Sequence, residues 1–310
     1  MERMQNAFAK LIKNENFKNR YEALKEEVMS HPRIQLFLAE HKDTVTNEMI
    51  ERSLIKLYEY IGQSIECEGC GSLAQCKNML QGYHPHLVIQ GKMIDIQYDR
   101  CPKKVVHDER KKHESLIQSL YVPKAILGAS MGEMDLSDPQ RFQAIQAAQA
   151  FLDAYEPGKM TKGLYLYGSF GVGKTYILGA IANELASRNI ASMLVYLPEF
   201  LRELKGSMQD NTMNEKIEVV KRIPVLMIDD IGAEAMSSFV RDDIIGSILQ
   251  FRMLENLPTF FTSNFDMKAL EHHLTYTQRG EEEKLKAARV MERIKYLATP
   301  VKLSGKNRRE

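Results

Sequence analysis

The segment Gly168-Ser169-Phe170-Gly171-Val172-Gly173-Lys174-Thr175 decides how the rest of this chain is read. It follows an apolar run, Leu164-Tyr165-Leu166-Tyr167, and opens into a helical pattern from Tyr176 to Leu185. The spacing G-x-x-x-x-G-K-[ST], set between a strand and a helix, is that of a phosphate-binding loop. Glycines let the backbone curl until its N–H groups converge on phosphate oxygens, and the emerging helix adds the positive end of its dipole. Lys174 is then placed to neutralise the β- and γ-phosphates, and the Thr175 hydroxyl to ligate Mg2+. A glycine turn before a core helix would leave the lysine and threonine without a purpose. The expected cofactors of this part are ATP and Mg2+.

Working outward, the elements alternate on both sides of the loop. A helix over Gln140–Tyr155 precedes the first strand. Strands follow at Ser192–Tyr196, Val225–Asp229 and Thr259–Ser263, with helices at 175–187, 198–205, 213–222 and 238–254 between and around them. Such alternation argues for an α/β fold, a parallel sheet wrapped by helices, with ligands at the carboxyl ends of the strands. The run Val225-Leu226-Met227-Ile228 delivers Asp229 and Asp230 to that edge. Asp229 can hold Mg2+ with Thr175, and Asp230 is the candidate to orient an attacking water, since phosphoryl transfer is mostly positioning and charge stabilisation. A single capping aspartate would explain one carboxylate but not both. Asn264, at the tip of Thr259–Ser263, can polarise that water or sense the γ-phosphate, although a loop asparagine is by itself a turn former.

The chain has 310 residues, long enough for two ordinary domains, and a formal net charge of +1, so it exerts no strong overall field on nucleic acid or membrane. No stretch approaches the roughly 20 apolar residues that span a bilayer, and Met1–Arg20 lacks the apolar core of a leader. A cytoplasmic protein is expected. All four cysteines, Cys67, Cys70, Cys76 and Cys101, lie in one short segment before the loop. Apolar stripes at Leu24, Val28, Met29, at Ile34, Phe37, Leu38 and at Ile50, Leu54, Leu57, Tyr58, Ile61 predict a small helical bundle, whose stripes are either core or a partner-binding face. Between His84 and Cys101, Leu87–Tyr98 reads as a β-hairpin turning near Gly91. Folding it back brings His84 and Cys101 to one open end. There the Cys67-Glu68-Gly69-Cys70 knuckle can meet them around Zn2+, with Cys76 in place of His84 as the alternative fourth ligand. A redox thiol pair or an iron–sulfur cluster are the rival uses of the same residues. The segment Lys103–Tyr121, rich in Lys, His and Glu, reads as a solvated linker or exposed helix. The expected division is 1–106, a linker over 107–125, and 126–310.

The loop, the Val225–Asp230 strand, Phe260-Phe261-Thr262-Ser263-Asn264 and the later Ala287-Ala288-Arg289-Val290-Met291-Glu292-Arg293-Ile294 together resemble the AAA+ ATPases of the helicase-loader branch, over essentially the whole chain. The resemblance implies an AAA+ P-loop domain with a three-layer parallel sheet, preceded by a small, mainly helical, zinc-binding domain with a β-hairpin. It implies that the N-terminal domain grips the hexameric replicative DNA helicase, with initiation or primosome proteins as further partners. The ATPase part would bind single-stranded DNA and self-associate on the helicase. Arg293 matches the family's arginine finger, with Arg289 one turn earlier as the fallback, and Arg308 the position of a sensor-2 arginine. Asp230 stands where many relatives carry Glu, so hydrolysis is expected to be slow and stimulated by single-stranded DNA. For the strand contact the sequence offers Arg202, Lys205, Lys216, Lys221 and Arg222, among interleaved glutamates. The alternatives are a transposition-helper ATPase, which would not be expected to carry the cysteine module, and a nucleotide-gated adaptor with little hydrolysis.

Overall fold

The structure, a computed structural model, describes residues 15–65, 70–135, 139–207 and 212–308. The chain divides into two compact units, residues 1–110 and 111–310.

In the first unit three helices, α1 (Glu15–Ser30), α2 (Pro32–Glu40) and α3 (Asn47–Ile61), precede a hairpin of β1 (Tyr83–Gln90) and β2 (Met93–Arg100). Thr46 caps α3 by accepting the N–H of Met49 at 3.3 Å. Gln90 faces Met93, so the turn is the two residues Gly91-Lys92, with Gly91 at φ +59° as such a tight turn requires. The core is small: Val28, Ile34, Phe37, Ile50, Leu54, Leu57 and Tyr60 from the helices, Leu87 and Ile94 from the hairpin. One expected stripe residue is displaced. Tyr58 is exposed and Tyr60 is buried in its place, because a helix turns about 100° per residue and position 60 falls on the Leu57 face. Arg33 lies over the Tyr60 ring and donates to the carbonyls of Ile61 and Gln63 at 3.0 and 2.9 Å, closing the open end of α3.

Helix α4 (Pro102–Leu116) and strand β3 (Ile117–Leu120) occupy most of the span read as linker. β3 pairs in parallel with β5 (Ser192–Tyr196). The remaining strands are β4 (Gly163–Tyr167), β6 (Val225–Asp229), β7 (Thr259–Ser263) and β8 (Ala298–Lys302). The six run in the order β3-β5-β6-β7-β4-β8, and every pairing is parallel. Both faces are covered. Leu226, Ile228 and Phe261 pack with α8 (Leu197–Gly206), α9 (Met213–Arg222), α10 (Gly246–Leu254), α11 (Met267–Thr275) and α12 (Lys284–Leu297). Val225, Met227 and Phe260 pack with α6 (Pro139–Ala154) and α7 (Lys174–Ser187). Neighbouring residues of one strand thus serve opposite layers, as the period of 2 demands, and burial on both faces is why these strands read as unbroken apolar runs.

Candidate nucleotide site

Strand order builds the site. β7 lies between β4, which carries the phosphate loop, and β6, which carries the aspartates. Asn264, one residue past β7, therefore stands between the loop lysine and the carboxylates. Lys174 Nζ donates to Asn264 Oδ1 at 2.9 Å, and Asn264 Nδ2 donates to Asp230 Oδ1 at 3.2 Å. Lys174 also donates to the carbonyls of Gly168 and Ser169, both at 2.8 Å. These contacts hold the ammonium at the mouth of the loop, on groups that a triphosphate would outcompete through charge.

Thr175 Oγ1 donates to Asp229 Oδ1 at 2.9 Å, so the two expected Mg2+ ligands already touch. Asp229 is 6% exposed. Burial lifts its carboxyl above the ordinary range, the adjacent Asp230 charge adds to the lift, and the hydroxyls of Thr262 and Thr175 oppose it. The Thr175–Asp229 pair is thus a hard-oxygen set suited to Mg2+. Asp230 sits at φ +64°, a left-handed conformation that turns its carboxylate out of the strand line toward Asn264.

Two contributors escaped the sequence reading. Thr262, 1% exposed, donates to Asp229 Oδ1 at 2.6 Å and accepts the Asp230 N–H at 2.8 Å, so one hydroxyl fixes both aspartates. Its signal was a threonine straight after the apolar pair Phe260-Phe261, at the carboxyl end of the strand. Arg141, 3% exposed on α6, lies against the loop: a side chain on Gly173 would come within 3.1 Å of its Nη2. Nothing in the local pattern of α6 distinguishes that arginine from a surface residue.

The arginine candidates lie in different surroundings. Arg293 is half-buried and donates to the Gly246 carbonyl at 2.8 Å, whereas Arg289 is exposed. Arg308 reaches the loop through its backbone, its N–H donating to the Gly171 carbonyl at 3.0 Å. Four of the five basic residues on α8 and α9 pair with glutamates: Arg202 with Glu199 at 2.6 Å, Lys216 with Glu203 at 2.5 Å, and Lys221 and Arg222 with Glu218 at 3.0 Å each. That surface is a balanced mixed face.

In the first unit the hairpin register sets His84 opposite Asp99, and the Cys101 N–H donates to the Gly82 carbonyl at 2.8 Å. Cys76 Sγ accepts the Gly82 N–H at 3.3 Å and Cys101 Sγ accepts the Lys104 N–H at 3.4 Å. Backbone donors on sulfur suit thiolate ligands. His84 Nδ1 is bonded to the Ile65 carbonyl, which leaves Nε2 as the nitrogen with the lone pair, the usual arrangement of a zinc histidine. Cys70 Sγ instead lies against the Ser72 carbonyl at 3.2 Å. Cys67 falls outside the described residues, and among those described no three donor side chains converge as a metal set.

A glycine loop after a central strand, paired carboxylates two strands away and a polar tip between them define a P-loop ATPase domain of the AAA+ class. The comparisons agree. A model of the bacterial DnaA ATPase domain matches residues 138–263, and one of the primosomal protein DnaI N-terminus matches residues 1–98. The replicative helicase loader DnaI of Bacillus subtilis (strain 168) is 54% identical over 294 residues, covering 95% of this chain and 94% of the relative. A crystal structure of DnaI, 61% identical, matches with TM-score 0.57 over 64% of this chain and 99% of its own. A primosome component from Streptococcus pyogenes serotype M3, 37% identical, gives 0.54 over 64% and 98%. The chain belongs to the DnaI family of replicative helicase loaders.

Proposed function

We propose that this protein binds ATP with Mg2+ and uses it to place a hexameric replicative helicase on single-stranded DNA. The observation that carries the nucleotide part is the unbroken chain from Lys174 through Asn264 to Asp230, with Thr175 on Asp229 beside it. Residues 168–175 cradle the phosphates, Thr175 and Asp229 hold Mg2+, and Asp230 orients the water that attacks the γ-phosphate. Asn264 joins the lysine to that water site. An arginine from a neighbouring copy completes the charge stabilisation. Arg293 holds that role by motif, while its bond to the Gly246 carbonyl favours the exposed Arg289 as the residue that reaches across.

The helicase partner comes from the family, and residues 1–106 are the part assigned to grip it. Zn2+ in this head would be held by Cys67, Cys70 and Cys101, with His84 or Cys76 as the fourth ligand. The backbone donors on Cys76 and Cys101 support thiolates at both positions. A metal staple fits a unit with so small a core. Stripping the metal with a strong chelator should melt this unit and expose its thiols, leaving ATP binding intact. Purified protein without bound zinc, with thiols equally reactive with and without chelator, would dismiss the zinc assignment.

Single-stranded DNA, carried past the balanced face of α8 and α9, stimulates turnover, and the protein acts in the cytoplasm. The full chain mixed with the hexamer should co-elute with it. ATP turnover stimulated by single-stranded DNA should drop in Asp230→Asn. Unchanged turnover in that variant would count against Asp230 as the residue that orients the water, whereas wild-type protein that binds ATP without turning it over would favour the gated-adaptor reading, in which binding and release alone drive partner exchange.

A further inference from the structure

The chain beyond β8 is delivered onto the phosphate loop by topology. β8 runs parallel to β4 with Lys302 opposite Tyr167, so both strands end at the edge where β4 becomes the loop. The Leu303 N–H then donates to the Tyr167 carbonyl at 2.8 Å. The Leu303 carbonyl occupies the space a side chain on Gly168 would need, 1.9 Å from that Cβ position, and Asn307 Oδ1 does the same at Gly171, at 1.7 Å. Because the Leu303 carbonyl is backbone, the strap itself requires a glycine at 168, whereas the Asn307 side chain could swing away from 171, where the positive φ of +76° is what calls for glycine. Gly305, at φ +136°, turns the strap, and the Arg308 N–H closes it on the Gly171 carbonyl at 3.0 Å.

At the end of the strap the Arg308 guanidinium pairs with Asp135 at 2.5 Å, with side-chain exposures of 40% and 38%. An ion pair that open to water is weak. A polyphosphate in the adjacent loop offers the same guanidinium more charge and a bidentate partner. We propose that residues 303–308 form a nucleotide-responsive latch in which Asp135 and a bound triphosphate compete for Arg308. Asp135 is then a positioning residue that acts on nucleotide affinity through Arg308. The strap is anchored to the loop backbone at Gly171, so exchange of the guanidinium between its two partners is felt along 303–308. This rests on the reading of residues 168–175 as an ATP site.

The test is fluorescent ATP and ADP binding, with Mg2+, to the full-length protein and its variants. Asp135→Asn should tighten ATP about 3-fold, the scale of a lost exposed pair, with a smaller change for ADP. Asp135→Glu should return toward the wild-type value. Arg308→Gln should weaken ATP on the order of 10-fold, the scale of a charged hydrogen bond. The double variant should match Arg308→Gln alone. Asp135→Asn with unchanged ATP affinity, or with the same gain in the Arg308→Gln background, overturns the latch. Wild-type protein that fails to bind ATP with Mg2+ overturns the underlying reading instead, so the two failures are separable. Melting curves guard against a purely structural effect: Asp135→Asn should tighten ATP while the midpoint of the unliganded protein falls by no more than about 2 °C, the scale of one exposed pair.

Discussion

The two edges of the large sheet both bury charge, and they hold it in opposite ways. At the amino edge Arg252 is fully buried and its guanidinium is ringed by neutral acceptors: Thr259 Oγ1 at 2.8 Å and the carbonyls of Lys221, Ile223 and Pro258 at 2.9, 2.7 and 2.7 Å. Burial drags its pKa down to about 9, and the charge ties together the segments that lead into β6 and β7. At the carboxyl edge Lys174 donates to Asn264 and two loop carbonyls, Asn264 donates to Asp230, and the hydroxyls of Thr175 and Thr262 donate to Asp229, all beside the phosphate loop. Saturated charge makes structure. Charge held by replaceable partners makes a site.

This contrast can be broken from either side. The largest effect belongs to the amino edge: Arg252→Met leaves several buried acceptors unpaired and should cost about 4 kcal/mol of stability. Denaturant unfolding would read it, and ATP affinity per folded molecule should not change. At the carboxyl edge Lys174→Ala should weaken ATP on the order of 100-fold, as loss of charge-assisted bonds implies. Stability there should move by less than about 1 kcal/mol, because the carbonyls it leaves are near solvent. Isothermal titration beside a melting curve would separate the two edges in one experiment.

Thr262→Val is smaller and sharper, since it removes one hydroxyl at nearly constant shape. About 1–2 kcal/mol of stability should go with the two lost bonds, and turnover should fall because both aspartates lose their anchor. An unchanged rate would mean that strand geometry alone positions them. The smallest effect is a sign. Asp229 has a raised folded-state pKa, so the fold prefers its protonated form. Its cost to stability therefore appears as pH rises through the ordinary carboxylate value, and is complete above the raised one. Asp229→Asn should melt higher than the wild type at neutral pH and at the same temperature near pH 3, below the ordinary value. Mg2+-dependent ATP binding needs the ionised form, so in the wild type it should fade on acidification at a higher pH than an ordinary aspartate would give. A variant that melts lower at neutral pH would mean that the Asp229 charge stabilises the fold.

Much of this site was legible because it is local. The loop from Gly168 to Thr175 is contiguous, its glycines are forced by backbone curvature, and its lysine and threonine have no other use at that spacing. Asp229 and Asp230 were legible because an apolar strand ending in two carboxylates is uneconomical for a core. What stayed hidden was short or remote. β3 has four residues inside a charged stretch, and its partner β5 lies some seventy residues on, so no local pattern announces it. β8, with Pro300 inside it, sits at an edge where the missing N–H does no harm. Tyr58 and Tyr60 differ only in which way a helix faces, and that is fixed by the hairpin it packs on.

The amino-acid sequence alone determined the class of fold and the candidate residues of the phosphate loop, because both are written in residues that are neighbours along the chain. Tertiary structure decided the rest. It placed β7 between the two motif strands, set Thr262 on both aspartates, buried Arg141 beside Gly173 and brought residues 303–308 back over the loop. The physical reason is that strand order joins residues a hundred positions apart, and only packing chooses the order.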